Sequence, residues 1–388
     1  MAIKLLVTDG NLIPVGDQIS GWTSVVATPS FNTVGTGTVT MPATAAIREQ
    51  LGIDRARLVV YRDDRYFMGG PIVQGGFDWT QQSGSGGSGD QSEPGLLTVN
   101  FADDFAWIAN EVVYPDVAHA ATGQTTANYV LTATNAEVVL RDLVNLNVGP
   151  GAIAARRVPQ LVLGGLASVG TSINFTGRFD PLGDALRRAA IAGGGLGFRT
   201  VQSTAGIEFV VYQPSDLTAS IRFSRGLSNL QMLKYAPQAP TCTVAIVGGD
   251  GTGSSRTIRE RVNSSAVTRY GRIVKWINQG STADTTVMDQ AGDQALADGA
   301  ESAQVTFSAI DTDVNQYGVN YALGDQVTVE VWPGFDISAV VRAVTLTADP
   351  TTGEVLTPLI GTDAAIKDSR ILRELRSLGA RIDPLERS

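Results

Sequence analysis

Residues Gln326 to Val331 alternate strictly, with Val327, Val329 and Val331 on one side of the run and polar residues on the other. Side chains along an extended strand point to opposite faces in turn. A period of two therefore specifies a strand with one face on a core and the other toward water. Leu323-Gly324-Asp325 supplies the preceding turn. The same pattern recurs in Ile207, Phe209 and Val211, in Ile221 and Phe223, and in Cys242, Val244 and Ile246, so that residues 207–276 read as a row of half-buried strands. Pro214-Ser215-Asp216 punctuates them. Forty-three glycines, about one and a half times the usual share, suit a turn-rich β protein. The 388 residues leave room for about two or three domains.

Taken in order, residues 1–101 are β-rich. Ile3–Val7, Ser20–Val26 and Thr36–Met41 are candidate strands, and a short helix spans Ala43–Leu51 with Gly52 as its C-terminal cap. Arg57–Arg62 and Arg65–Gly69 flank Asp63-Asp64, the spacing of a hairpin. The Gly/Ser-rich stretch 81–91 sits between two extended runs and reads as a long loop, either mobile or touching a neighbour, and less well as a domain linker. Residues 102–206 shift toward helix. Asp103–Glu111 is short, Ala136–Asn147 is capped by Asn135 or Thr134, and a helix to Ala192 starts behind Asp180-Pro181 with Arg187 and Arg188 on its solvated face. Phe198 opens a strand that returns to Ile207 across a turn at Ala205-Gly206. Asp284 to Ala300 is a helix faced with small residues (Ala291, Ala295, Gly299), which permits close approach to a sheet. Residues 303–361 return to strand, with Val340–Thr347 and Gly353–Leu359 joined by the turn Asp349–Gly353.

The last segment differs. Ile371, Leu375, Leu378 and Ile382 repeat at spacings of four, three and four, with Leu385 beyond them. This is heptad spacing, cut short by Gly379 and Pro384. Two heptads do not associate alone. Two arrangements remain open: the stripe packs on a symmetry axis of a larger assembly, or it folds back on its own domain.

Catalytic constellations are scarce. His119 is the only histidine and Cys242 the only cysteine, which leaves no zinc ligand set and no disulfide framework. Cys242 is expected in a core. Any Ser-His-Asp triad would have to use His119, whose neighbours Val117-Ala118-His119-Ala120-Ala121 hold no nucleophile motif. Gly248–Arg256 is glycine-rich but lacks the Gly-Lys-[Ser/Thr] ending of a phosphate loop, and reads as a hairpin loop. Asp311-Thr312-Asp313-Val314-Asn315 begins like a calcium loop, yet Gln316 and Ala322 replace its glycine and its glutamate, so a turn is favoured. A net charge of −9 without clustered basic residues disfavours a nucleic-acid surface. Neither a signal peptide nor a membrane helix is expected, and no cofactor or metal.

One resemblance rests on an order of short motifs. Ile207–Tyr212 is followed by Asp216-Leu217-Thr218, Phe223-Ser224 and Leu227-Ser228-Asn229-Leu230. Cys242–Val247 then runs into a Gly-rich loop before Arg256, and Tyr270-Gly271-Arg272 leads into Ile273–Trp276. This succession resembles the tail-tip (baseplate) hub proteins of long-tailed siphophages, a tail-associated-lysin-like N-terminal hub family distantly related to the trimeric hub of contractile tails. It is best over residues 207–335. Leu323-Gly324-Asp325-x-Val327 is similar to the family's last barrel.

The resemblance implies an α+β, mainly β fold with two tail-tube-like β-barrel domains, an intervening α/β domain and a C-terminal helix. The first barrel would span 1–101, and the second 207–245 with 305–361. The intervening domain would span 102–206 with 246–304, and the helix 362–388. It further implies a homotrimer at the distal end of the phage tail in the virion, matching a sixfold tube to a threefold tip. Its partners would be the distal tail protein, the tape measure protein and other tail-tip proteins, with DNA only in transit and no stable membrane association. Ile371, Leu375, Leu378 and Ile382 are the candidate assembly residues, and no catalytic residue or fused lysin is expected. Two alternatives are a cell-wall hydrolase using a carboxylate pair within 102–304 and a carbohydrate-binding tail-tip module. The second would need exposed aromatic platforms, whereas Trp22, Trp79, Trp276 and Trp332 are scattered among strands and mostly expected in cores.

Overall fold

The computed structural model describes residues 3–78, 95–280, 282–309, 315–351 and 353–360. Along the chain these form β1 (Ile3–Thr8), β2 (Ser24–Thr28), β3 (Thr36–Pro42), α1 (Ala45–Leu51), β4 (Arg57–Arg62), β5 (Arg65–Asp78), β6 (Leu96–Ala102) and α2 (Phe105–Ala109). Next come β7 (Tyr129–Asn135), α3 (Ala136–Asn147), β8 (Leu161–Leu163), β9 (Ser172–Gly177), α4 (Leu182–Ala192), β10 (Gly197–Ser203) and β11 (Gly206–Tyr212). The remainder is β12 (Arg222–Phe223), β13 (Leu230–Gln238), β14 (Val244–Gly248), β15 (Ile258–Val262), α5 (Ser264–Tyr270), β16 (Val274–Asn278), α6 (Thr285–Asp298), β17 (Ser302–Ala309), β18 (Gln326–Trp332), β19 (Phe335–Asp349) and β20 (Gly353–Ile360). Two compact units result. The first is Met1–Pro214 with Val344–Leu356, and the second is Ser215–Ala343 with the chain from Thr357 on.

In the first unit the main sheet runs β1-β4-β5-β6-β3-β2, and Leu346–Ala348 of β19 pair with β2. β5 serves β4 with its first part and β6 with its second, and each pairing carries a register shift. Such bulges bend a strand and increase its twist, so this sheet curls into a half-barrel. Asp63 and Asp64 both have positive φ, the geometry of a two-residue hairpin turn matched to strand twist. The alternating Leu5, Val25, Val39, Met41, Leu58, Val60, Val99 and Phe101 fill the concave side. Gly37 faces Phe101 across the β3–β6 ladder, where a Cβ would fall 2.2 Å from the ring.

A helical layer completes this unit. Asn135 caps α3 by accepting from the Glu137 amide at 3.0 Å. The chain's own 3.6-residue periodicity then buries Val139, Leu140, Leu143 and Val144. These pack with Leu182, Ala185, Leu186 and Ala189 of α4 and with Phe198, Phe209 and Val211 of the β10–β11 hairpin. Two expectations are corrected here. Asp180 is not the cap of α4, because Pro181 occupies that position and offers no side-chain acceptor. Asp180 instead accepts from Arg188 at 3.3 Å. Arg187 and Arg188 are not a freely solvated face: Arg188 lies along the sheet and donates to the Thr176 carbonyl at 3.1 Å, and Arg187 pairs with Asp184 at 3.0 Å.

In the second unit, β18 pairs antiparallel with β19 and parallel with the short β12, β13 pairs antiparallel with β17, and β14 is the centre of a separate sheet ordered β15-β14-β16. Residues 207–276 are therefore not one row of strands. β11 belongs to the β10-β11-β8 sheet, β12 to the β18 ladder and β14 to its own sheet. Alternation marks each strand as half-buried but carries no information about which sheet it joins. β15 and α5 were not anticipated; Asn263 caps α5 by accepting from the Ala266 amide at 3.0 Å. The fold as a whole is α+β and mainly β, with one large curled sheet and several small ones.

Candidate assembly surfaces

The candidate assembly residues Ile371, Leu375, Leu378 and Ile382 lie outside the described residues, as do Trp79, the stretch 81–91 and Asp311 to Val314. His119 lies in an exposed loop. Its Nδ1 is 2.8 Å from Asp116 Oδ2. Thr125 and His119 both hydrogen-bond Asp116 and hold its carboxyl down to about 2. This arrangement ties a loop and presents no nucleophile. Gly248–Arg256 is the connection of the β14–β15 hairpin, anchored by Arg256, whose Nε donates to the Gly249 carbonyl at 2.9 Å. Among the described residues no group of three or more His, Cys, Asp or Glu side chains is placed to hold a metal ion, and no helix is long and apolar enough to cross a membrane.

Asp103 and Asp104 are adjacent carboxylates at the β6–α2 junction. Arg57 is 1% exposed and Asp104 is 0% exposed. Arg57 Nε donates to Asp104 Oδ1 at 2.8 Å, Nη2 donates to Asp104 Oδ2 and to Gln202 Oε1 at 3.2 Å, and Nη1 donates to Thr8 Oγ1 at 2.8 Å. Burial pushes the Asp104 carboxyl up, against the pull of the Arg57 charge. Burial also pushes Asp103 up to about 8, and its Oδ1 is enclosed without a hydrogen-bond partner. Both oxygens of Asp104 are engaged by Arg57, so this pair fastens the sheet to the helical layer.

Among the described residues of the second unit, two groups of neighbouring apolar side chains are exposed. At the β18–β19 turn, Trp332 stacks on Phe335 with centroids 4.3 Å apart, and Tyr235 meets both edge-on at 6.0 and 6.1 Å. Trp332 is 52% exposed. The other surface belongs to β15-β14-β16. α6 covers one side of that sheet, where Ala245, Val247 and Ile277 meet Met288, Ala291 and Ala295. Along the same side, Arg259 pairs with Asp289 at 2.7 Å and Arg261 with Asp293 at 2.7 Å. The pairing works because one helical turn of four residues advances about 6 Å and two strand residues about 6.6 Å. The opposite side exposes Ile258 (50%), Val262 (45%), Val274 (50%) and Trp276 (52%). Trp276 and Trp332 thus correct the expectation that most tryptophans are buried. Cys242 is buried as expected, just ahead of β14 and not inside it.

The motifs singled out in the sequence are turn ties. Asn229 accepts from the Ser224 amide at 2.9 Å and donates to the Arg222 carbonyl at 2.8 Å. Asp216 accepts from the Thr218 amide at 3.0 Å, and Asp325 from the Ser215 and Ala322 amides, each at 2.8 Å. Thr243 Oγ1 donates to the Gly271 carbonyl at 2.9 Å and accepts from the Ile273 amide at 2.8 Å, which docks Tyr270-Gly271-Arg272 on β14.

Comparison with known proteins places the chain. Residues 4–362 match the family of Siphovirus ReqiPepy6 Gp37-like proteins, and the chain belongs to that family of phage tail proteins. No curated protein matches the sequence significantly. Among solved structures, the tail protein from Neisseria meningitidis MC58 is similar with a TM-score of 0.56 at 12% identity, over 94% of this chain and 98% of that one. The 43 kDa tail protein of prophage MuSo2 from Shewanella oneidensis gives 0.54 at 12% identity, over 92% and 97%. Prophage tail protein gp18 from Listeria monocytogenes EGD-e gives 0.49 at 9% identity, over 92% and 94%.

Proposed function

We propose, taking membership of this tail-protein family as the premise, that the chain is a trimeric hub at the distal tip of a siphophage tail. It closes the tail tube, adapts a sixfold tube to a threefold tip and opens for DNA passage, and it makes no and breaks no covalent bonds. The proposed division is the one the hub resemblance implies: barrels at 1–101 and at 207–245 with 305–361, and an α/β domain at 102–206 with 246–304. The distal tail protein and the tape measure protein are the proposed neighbours. The curled half-barrel sheet of the first unit is the observation that carries this reading, because an open antiparallel sheet that curls leaves edges able to pair with a like sheet beside it.

An image reconstruction of assembled tails tests the proposal. Three copies around the tail axis at the tip are expected; six copies, or a location along the tube, would overturn it. A second reading has one observation in its favour. The Trp332–Phe335 stack is an exposed aromatic platform of the kind a sugar-binding module needs. Trp332→Ala would then abolish retention on host cell wall, and retention that persists would dismiss this reading.

A further inference from the structure

The open side of the β15-β14-β16 sheet calls for a cover. Its ladders set Ile258, Gly248 and Asn278 in one row, Glu260, Ile246 and Trp276 in the next, and Val262, Val244 and Val274 in the third; Val244 on the central strand is buried, and the exposed side chains lie on the flanking strands. The Trp276 indole lies across Gly248, where a Cβ would be 2.5 Å from the ring. The Arg256 guanidinium sits over the indole at 5.3 Å. Exposed apolar side chains are normal singly, but a contiguous group marks an interaction site. The sheet is mixed, with β14–β15 antiparallel and β14–β16 parallel. Only one of its faces is covered by α6.

We propose that this face is occupied by the C-terminal segment of the same chain, through Ile371, Leu375, Leu378 and Ile382. β20 ends at Ile360 within the second unit, and 28 residues follow it in the sequence. The ten residues from 361 to 370 can reach about 33 Å when extended. A helical stripe from Ile371 to Ile382 is about 16 Å long, the same as a five-residue strand, and a helix about 10 Å wide spans three strands. The spacing of four, three and four places all four side chains on one face of a helix. Docked there, they turn a two-layer arrangement into a helix–sheet–helix sandwich and bury the indole of Trp276. This inference does not depend on the hub reading, and it chooses the fold-back arrangement over packing on a symmetry axis.

The test measures thiol reactivity in the full chain. Cys242 is buried, so Val274→Cys introduces one reactive thiol at an exposed position. Its labelling rate is compared with that of the same chain also carrying Leu375→Asp and Leu378→Asp. Slow labelling that accelerates about tenfold or more with the aspartates is expected, since the segment protects the face only while docked. Val130→Cys, exposed in the first unit, reports whether the aspartates act beyond the proposed site and should not change. Equal rates with and without the aspartates, whether fast or slow, overturn the proposal. Protection that disappears on dilution of the full chain also overturns it, by assigning the face to a second copy.

Discussion

The Arg57–Asp104 pair gives the sharpest test of how the first unit is held together. Arg57→Met removes the guanidinium while keeping much of the side chain's length. Asp104, fully buried, then has no counter-charge for its ionised form and must take up a proton to fold, and Thr8 and Gln202 each lose a donor. Breaking one side of a buried pair costs about 3–5 kcal/mol. For a unit of this size that corresponds to a fall in melting temperature of roughly 10 °C. The double variant Arg57→Met/Asp104→Leu removes the stranded carboxyl and should recover to within about 1–2 kcal/mol of the wild type. A double-mutant cycle by urea denaturation, followed by circular dichroism, gives the coupling directly. The pH dependence supplies an internal check. Burial already pushes Asp104 up, and without Arg57 it goes further. In Arg57→Met the native state then holds a proton that the unfolded state releases above about pH 4. The cost is greatest near pH 7 and shrinks toward pH 4, where both states are neutral. A single variant that loses less than about 1 kcal/mol, or a cycle with no coupling, would refute the claim that this pair fastens the sheet to the helical layer.

Other positions give separate outcomes. Asp103 carries a folded-state value of about 8 against an unfolded value of about 3.9. Stability should therefore decline as pH rises between those values and level off above them, and Asp103→Asn should flatten the decline in urea midpoints taken at pH 5, 7 and 9. Asn32 binds the Leu196 carbonyl and the Phe198 amide, each at 2.8 Å, so Asn32→Ala should cost about 1–3 kcal/mol, read as a lower urea midpoint. Gly70→Ala places a Cβ 2.4 Å from the Ala102 carbonyl oxygen and the Asp103 carbonyl carbon, both backbone atoms. It should cost more than about 3 kcal/mol and show as lost soluble yield or a much lower melting temperature.

Much of the local structure was legible because it depends on near neighbours. The Asp63-Asp64 hairpin, the Asn135 cap, the small face of α6 and the buried Cys242 all follow from residues a few positions apart. The cap of α4 was misplaced because Asp180, a good cap by type, had a stronger use as the partner of Arg188. Of the candidate surfaces, Val274 and Trp276 could be seen to alternate, yet nothing near them said that their side of the sheet faces outward. Trp332 was misjudged for the same reason, since its stacking partner Phe335 is visible only once the β18–β19 turn is formed.

By itself the sequence determined that this chain is mainly β, where α3 and α6 begin, and, through the order of its turn motifs, its kinship with phage tail proteins. Each of those motifs closes a turn with a side-chain hydrogen bond to nearby backbone, which ties it to local sequence. Only the tertiary structure decided which strands share a sheet and which face of each is covered. Pairing partners such as β12 and β18 are about a hundred residues apart, and a period of two is satisfied equally by every sheet such a strand could join. The buried Arg57–Asp104 pair was likewise a tertiary matter, since burial, and with it the cost of charge, is set by everything packed around those residues.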